Sequence, residues 1–141
     1  MTSDFLFDTN VIVYAFDNDE PDKRKKAMPI IEDVFEDRLV GFISNQIMAE
    51  LYHVLTRKQR VSKQTAASII SDIISCPSWV KIDYKADTVS KAIFISSSFS
   101  MSFWDSLIAA TMLENNITKI YTENTKDFRK IPGIQPTNPF I

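Results

Sequence analysis

The sequence predicts an α/β fold: a three-layer α/β/α sandwich around a central, mainly parallel sheet. Three observations carry this. Four short runs, at Phe5–Phe7, Val40–Ile43, Trp79–Ile82 and Lys119–Thr122, have strand character. Segments with apolar residues at helical spacing separate them. Strands that alternate with helices pair in parallel and are covered on both faces. The 141 residues suit a single domain, expected to span 1–141.

Phe5-Leu6-Phe7 is apolar without polar alternation, as in a strand buried on both faces, and it ends abruptly at Asp8. Thr9 or Asn10 is expected to cap a short helix over Val11–Phe16. Asp17–Pro21 reads as a turn. Asp22–Leu39 has helical periodicity, with Ala27, Ile30, Ile31, Val34, Phe35 and Leu39 on one side; Pro29 should kink or split it. After the strand Val40–Ile43, Ser44 or Asn45 caps a helix through Ile47, Leu51, Val54 and Leu55 to about Arg60. Ser62–Ser75 is a further amphipathic helix, with Ala66, Ile69, Ile70, Ile73 and Ile74 as its apolar face. Trp79–Ile82 reads as a short alternating strand and Ala86–Phe99 as a helix. Ser102 starts a helix through Leu107, Ile108, Ala110 and Leu113, with Asn115-Asn116 as its C-cap. Lys119–Thr122 is a strand, and Ile134-Gln135 a short edge strand.

Hydrophobic residues make up 45% of the chain and charged residues 24%, as in ordinary globular proteins. The net charge of −2 argues against strong non-specific nucleic-acid binding but leaves room for a local basic patch. No positively charged start leads into a long apolar core, so no signal peptide and no membrane span is expected, and a cytoplasmic protein is the default. Two glycines cannot build a Gly-rich phosphate loop. One cysteine, Cys76, reads as a small buried hydrophobe and excludes an internal disulfide. With His53 the lone histidine, carboxylates must supply most of any metal chemistry, and they suit hard cations such as Mg²⁺ or Mn²⁺.

Most acids fall on polar helix faces or in turns, and three do not. Asp8 follows a buried strand, Glu50 lies in the helix after the second strand, and Asp105 lies in the first turn of an apolar helix. If they meet at one sheet edge, they form a like-charged cluster that a cation would neutralise. Each also has a plainer role. Asp8 with Asn10 can cap the next helix, and Ser102-Phe103-Trp104-Asp105 matches a capping box. Glu50 shares a helix face with His53.

The pieces FLFDTNVIVYAF, SNQIMAELYHVL, FWDSLIAATMLENNITKIYTENTKDF and IPGIQPTNPF, in this order and across nearly the whole chain, resemble the PIN-domain ribonucleases, especially VapC-type toxins of prokaryotic toxin–antitoxin pairs. The resemblance implies a PIN-like α/β/α sandwich whose acids bind Mg²⁺ or Mn²⁺ and hydrolyse RNA phosphodiester bonds. Asp8, Glu50 and Asp105 match the family's first three acids. Asn124 stands where many members have a fourth acid, and Asp127 lies three residues on. Thr9, Asn10 and Thr122 match polar residues that orient the acids. The implied partners are RNA, a cognate antitoxin and a second copy of the chain. The candidate dimer surface is Ile30, Ile31, Phe35, Ile69 and Ile73, with core as the alternative. Arg57, Lys58 and Arg60 are the candidate phosphate contacts. The runner-up is a PIN-fold RNA- or protein-binding module with little catalysis. A phosphotransfer protein with a strand-end Asp is disfavoured, because Asn10 stands where a second Asp is wanted.

Overall fold

The computed structural model describes residues 4–141. Five strands form one wholly parallel sheet: β1 (Asp4–Phe7), β2 (Val40–Ser44), β3 (Trp79–Ile82), β4 (Lys119–Tyr121) and β5 (Gln135–Thr137). Their order is β3-β2-β1-β4-β5. Helices α1 (Thr9–Tyr14) and α2 (Pro21–Phe35) join β1 to β2, and α3 (Asn45–Arg57) and α4 (Lys63–Ser75) join β2 to β3. Helices α5 (Ala86–Phe99) and α6 (Phe103–Glu114) cross back to β4, and α7 (Thr125–Phe128) leads to β5. Right-handed crossovers put α1–α4 on one face and α5–α7 on the other. The packing agrees, since α1 contacts α2 and α3, α3 contacts α4, and α5 lies along α6.

The α2 face of the sheet is aromatic. Phe7 meets the edges of Trp79 and Tyr121, and Phe5 stacks on Tyr121 at 4.0 Å. Trp79 reaches across to β2, where Gly41 leaves room for its ring. A Cβ at Gly41 would lie 2.8 Å from two Trp79 ring carbons and 3.1 Å from Val34 Cγ1. On the opposite side, α6 is buried continuously from Ser106 to Met112. An apolar helix of this kind belongs inside the fold. Among the described residues, no single helix is long and apolar enough to cross a membrane.

Several expectations need correction. Pro29 does not split α2, which runs unbroken from Pro21 to Phe35. Pro29 and Lys25 are both exposed, so solvent can take up the Lys25 carbonyl that proline leaves without its donor. The helix stops before Leu39 because Asp37 turns left-handed at φ 60°. Helix α3 ends at Arg57 with Lys58 as its C-cap, and Arg60 is left-handed at φ 54°. Helix α1 is capped by Asp8 rather than by Thr9 or Asn10. Strand β3 buries its two ends, Trp79 and Ile82, and exposes Val80 and Lys81, because it is an edge strand rather than an alternating central one. Strand β5 begins at Gln135 and runs to Thr137. Cys76 is half-buried. Of the candidate dimer residues, Ile31 and Ile73 belong to the core, Ile30 and Ile69 pack against it, and Phe35 is exposed.

Candidate active site

In the strand order, β1 and β4 are the neighbours at which the chain reverses its direction of travel across the sheet. Open α/β sheets bind ligands outside the carboxyl ends of the strands at such a point. Asp8 follows β1 there, and Thr122 follows β4. The Thr122 hydroxyl donates to Asp8 Oδ2 at 2.7 Å, closing the two strand ends together. The Thr9 amide donates to Asp8 Oδ1 at 2.8 Å. Asp8 thus caps α1, the plainer of the roles read from the sequence, while being buried.

An open cavity of about 400 Å³ lies at this edge, lined by Asp8, Thr9, Asn10, Glu50, Asp105 and Asn124 among others. Glu50 arrives from α3. Its Oε2 accepts the Thr9 hydroxyl at 2.8 Å, and its Oε1 accepts Gln46 Nε2 at 2.8 Å. Gln46 Nε2 also donates to the Trp104 carbonyl at 3.1 Å, which ties α3 to the start of α6. Asp105 sits in the first turn of α6, where Ser102 caps the helix by accepting its amide at 3.2 Å. Its Oδ2 accepts Asn124 Nδ2 at 2.8 Å. The same Nδ2 reaches Asp127 Oδ2 at 3.1 Å, and Lys130 pairs with Asp127 Oδ1 at 2.9 Å.

The electrostatics follow from burial. Asp8 is pushed up to about 6, chiefly because its charge is desolvated and further because Asp105 and Glu50 are near; the Thr122 and Thr9 hydrogen bonds pull the other way. Asp105 is raised by burial and by the charges of Asp127 and Glu50, against the Asn124 bond. Asp127 is lowered by Lys130 and Asn124. Burial and like charge thus disfavour the ionised forms of Asp8 and Asp105, whereas Asp127 is paired with Lys130.

These residues suit a hard divalent cation in kind. The donors are all oxygens, two of the acids resist ionising, and Asn10 Oδ1 on the same wall is buried without a hydrogen-bond partner. As the side chains stand, no three acid, His or Cys groups among the described residues close on a single point. Each carboxylate instead meets neutral donors: Asp8 the Thr122 hydroxyl and the Thr9 amide, Glu50 the Thr9 hydroxyl and Gln46, and Asp105 the Asn124 amide. Asp8 and Asp105, with Glu50 beside them, are the residues able to hold a cation.

Of the basic candidates, Lys58 lines the cavity, together with Gln59, while Arg57 and Arg60 are exposed outside its lining. Asp127 does not line the cavity; it is joined to the site by its hydrogen bond with Asn124 and by its charge on Asp105. Sequence reasoning missed Gln46, buried Asp17 on the cavity wall, and a cluster beside it. There Lys23 donates to Glu123 at 2.7 Å and to the Tyr14 hydroxyl at 3.1 Å, and Tyr14 donates to Glu123 at 3.0 Å. His53 is exposed and is not among the cavity-lining residues.

The PIN domain family model matches residues 5–134. No curated protein matches the chain. Among solved structures, a toxin–antitoxin complex from Klebsiella pneumoniae aligns with a TM-score of 0.66 at 22% identity, covering 96% of this chain and 97% of that one. VapBC2 from Rickettsia felis, bound to a DNA fragment from its promoter, aligns at 0.68 and 23% identity over 96% and 98%. VapC20 of Mycobacterium tuberculosis, described as a Sarcin-Ricin loop cleaving toxin, aligns at 0.66 and 18% identity over 85% and 89%. At these identities the likeness is one of fold. With the family model running from β1 to the residue before β5, the chain belongs to the PIN-domain family.

Proposed function

We propose that this chain is a divalent-metal-dependent endoribonuclease, the VapC-type toxin of a toxin–antitoxin pair, acting in the cytoplasm as a single PIN domain. The observation that carries the reading is the gathering of Asp8, Glu50 and Asp105 around one cavity at the reversal point of the sheet. Asp8 and Asp105 would hold Mg²⁺ or Mn²⁺, and Glu50 would complete the shell or orient the attacking water. A bound ion of this type lowers the pKa of its water and offsets charge on phosphate oxygens. Thr122 and the Thr9 amide fix the Asp8 carboxylate. The Thr9 hydroxyl and Gln46 aim Glu50. Lys58, on the cavity wall, draws the RNA backbone towards an otherwise acidic opening.

The antitoxin partner is supported by the toxin–antitoxin complexes among the similar folds. The homodimer rests on the family resemblance alone. The alternative is a catalytically weak binding module, favoured by Asn124 in place of a fourth acid. Labelled RNA incubated with the purified chain separates the two. Fragments that form with Mg²⁺ or Mn²⁺, and vanish with EDTA and in Asp8→Asn, support the nuclease. RNA that binds but stays intact supports the module.

A further inference from the structure

We infer that Trp104 stacks an unpaired RNA base beside the scissile phosphate and so helps to set where the RNA is cut. This rests on the nuclease reading above. Trp104 is 61% exposed, whereas Trp79, the only other tryptophan, is fully buried. An indole turned to water forgoes a large apolar contact. Trp104 stands immediately before Asp105, which lines the cavity, and its carbonyl accepts Gln46 Nε2 at 3.1 Å. The same nitrogen donates to Glu50 at 2.8 Å, so Trp104 is tied to two of the candidate acids at the edge of the cavity.

The ring is held in place before anything lies on it. Phe103, packed against the core, meets it edge-on, with centroids 5.2 Å apart and 75° between the planes. The backbone is pinned as well, by the Ser102 cap and by the Ser106 hydroxyl, which donates to the Ser102 carbonyl at 2.8 Å. A side chain ordered in advance loses little freedom on binding. Among the described residues, the cavity lining sets Asp8, Asp17, Glu50 and Asp105 against Lys58 as its one cation. Phosphate attraction is weak there, and stacking holds a nucleotide without charge. Tyr14, the aromatic on the cavity wall, is already engaged: the Lys23 ammonium lies 4.5 Å from its ring centroid and the Phe140 ring lies edge-on at 5.0 Å. A base reaches Trp104 only once it has left its own stack, so the ring favours cutting beside an unstacked nucleotide.

Tryptophan emission on mixing the chain with a short unpaired RNA oligonucleotide in Mg²⁺ is the direct test, read by stopped flow before cutting. Trp79 is sealed in the core, so a quench reports Trp104. The expected result is a quench with the intact oligonucleotide and none with the same backbone made abasic throughout. Trp104→Ala should raise KM on the order of 10-fold, as for the loss of one stacked base, with a smaller change in kcat. Trp104→Phe should recover most of that loss, whereas a disturbance of Asp105 would lower kcat instead. RNA that is cut with no change in emission, or an unaltered KM in Trp104→Ala, overturns the inference and leaves the nuclease standing; the ring is then a protein contact or plain surface. RNA that is neither bound nor cut by the wild type overturns the nuclease reading, and this inference with it. The wild-type emission needs no variant, so it decides even if Trp104→Ala does not fold.

Discussion

Replacing Asp8 by Asn should abolish metal binding and yet make the metal-free protein more stable at neutral pH. Burial, with Asp105 and Glu50 near, lifts this carboxyl from 3.8 to about 6. A rise of about two pKa units costs the ionised folded state ~3 kcal/mol. The amide removes that cost but gives up part of a charge-assisted hydrogen bond, worth ~1 kcal/mol. The net gain is ~2 kcal/mol, or roughly 6 °C in Tm for a chain of this size. The sign with pH is fixed. Below 3.8 the acid is protonated in both folded and unfolded chains and the cost is absent; the cost is fully present once the pH has risen through about 6. Urea or thermal denaturation in EDTA, from pH 4 to pH 8, reads the difference. Asp8→Asn should exceed the wild type at pH 7.5, and the gap should close towards pH 4. A variant that is less stable at pH 7.5, or a gap that ignores pH, would refute the electrostatic reasoning.

Thr122→Val removes the donor to Asp8 Oδ2 and should move the pH midpoint of Mn²⁺ binding upward, measured by calorimetry across a pH series. Gln46→Leu frees one Glu50 oxygen and should weaken Mn²⁺ affinity on the order of 10-fold while the circular dichroism spectrum stays native. Lys58→Gln should lower the slope of log affinity for RNA against log salt by about one, whereas Arg57→Gln, outside the cavity lining, should leave the slope alone. Gly41→Ala drives a methyl group into the Trp79 ring and should cost ~1–3 kcal/mol in urea denaturation.

Local signals were legible where they come from neighbouring residues. The bounds of Trp79–Ile82 and Ala86–Phe99 are those read from the sequence, although the alternation expected of the strand is absent. The caps by Ser44, Ser62 and Ser102 follow from their hydroxyls preceding apolar periodic runs. The alternation of the elements gave the parallel sheet. Features that depend on exposure misled. Pro29 looked like a break, but on a solvent face a helix tolerates it. For Ile31 and Ile73 the sequence left partner surface and core both open, and burial places them in the core.

At the site, the acids stood out because Asp8 follows a buried strand, Asp105 opens a buried helix, and Glu50 lies between apolar neighbours in the helix after the second strand. Their supports did not. Gln46 meets Trp104 across 58 residues and Lys23 meets Glu123 across 100, and no spacing rule connects residues that far apart. Asp127 looked like a spare acid in the sequence. Only the Lys130 pair and the Asn124 bridge show that its charge is already answered.

The most direct measurement is anomalous diffraction from crystals of the chain soaked in Mn²⁺. A peak bonded to carboxylate oxygens of Asp8 and Asp105, with Glu50 alongside, is the predicted result. Density confined to other surfaces, with that cavity bare, would contradict it.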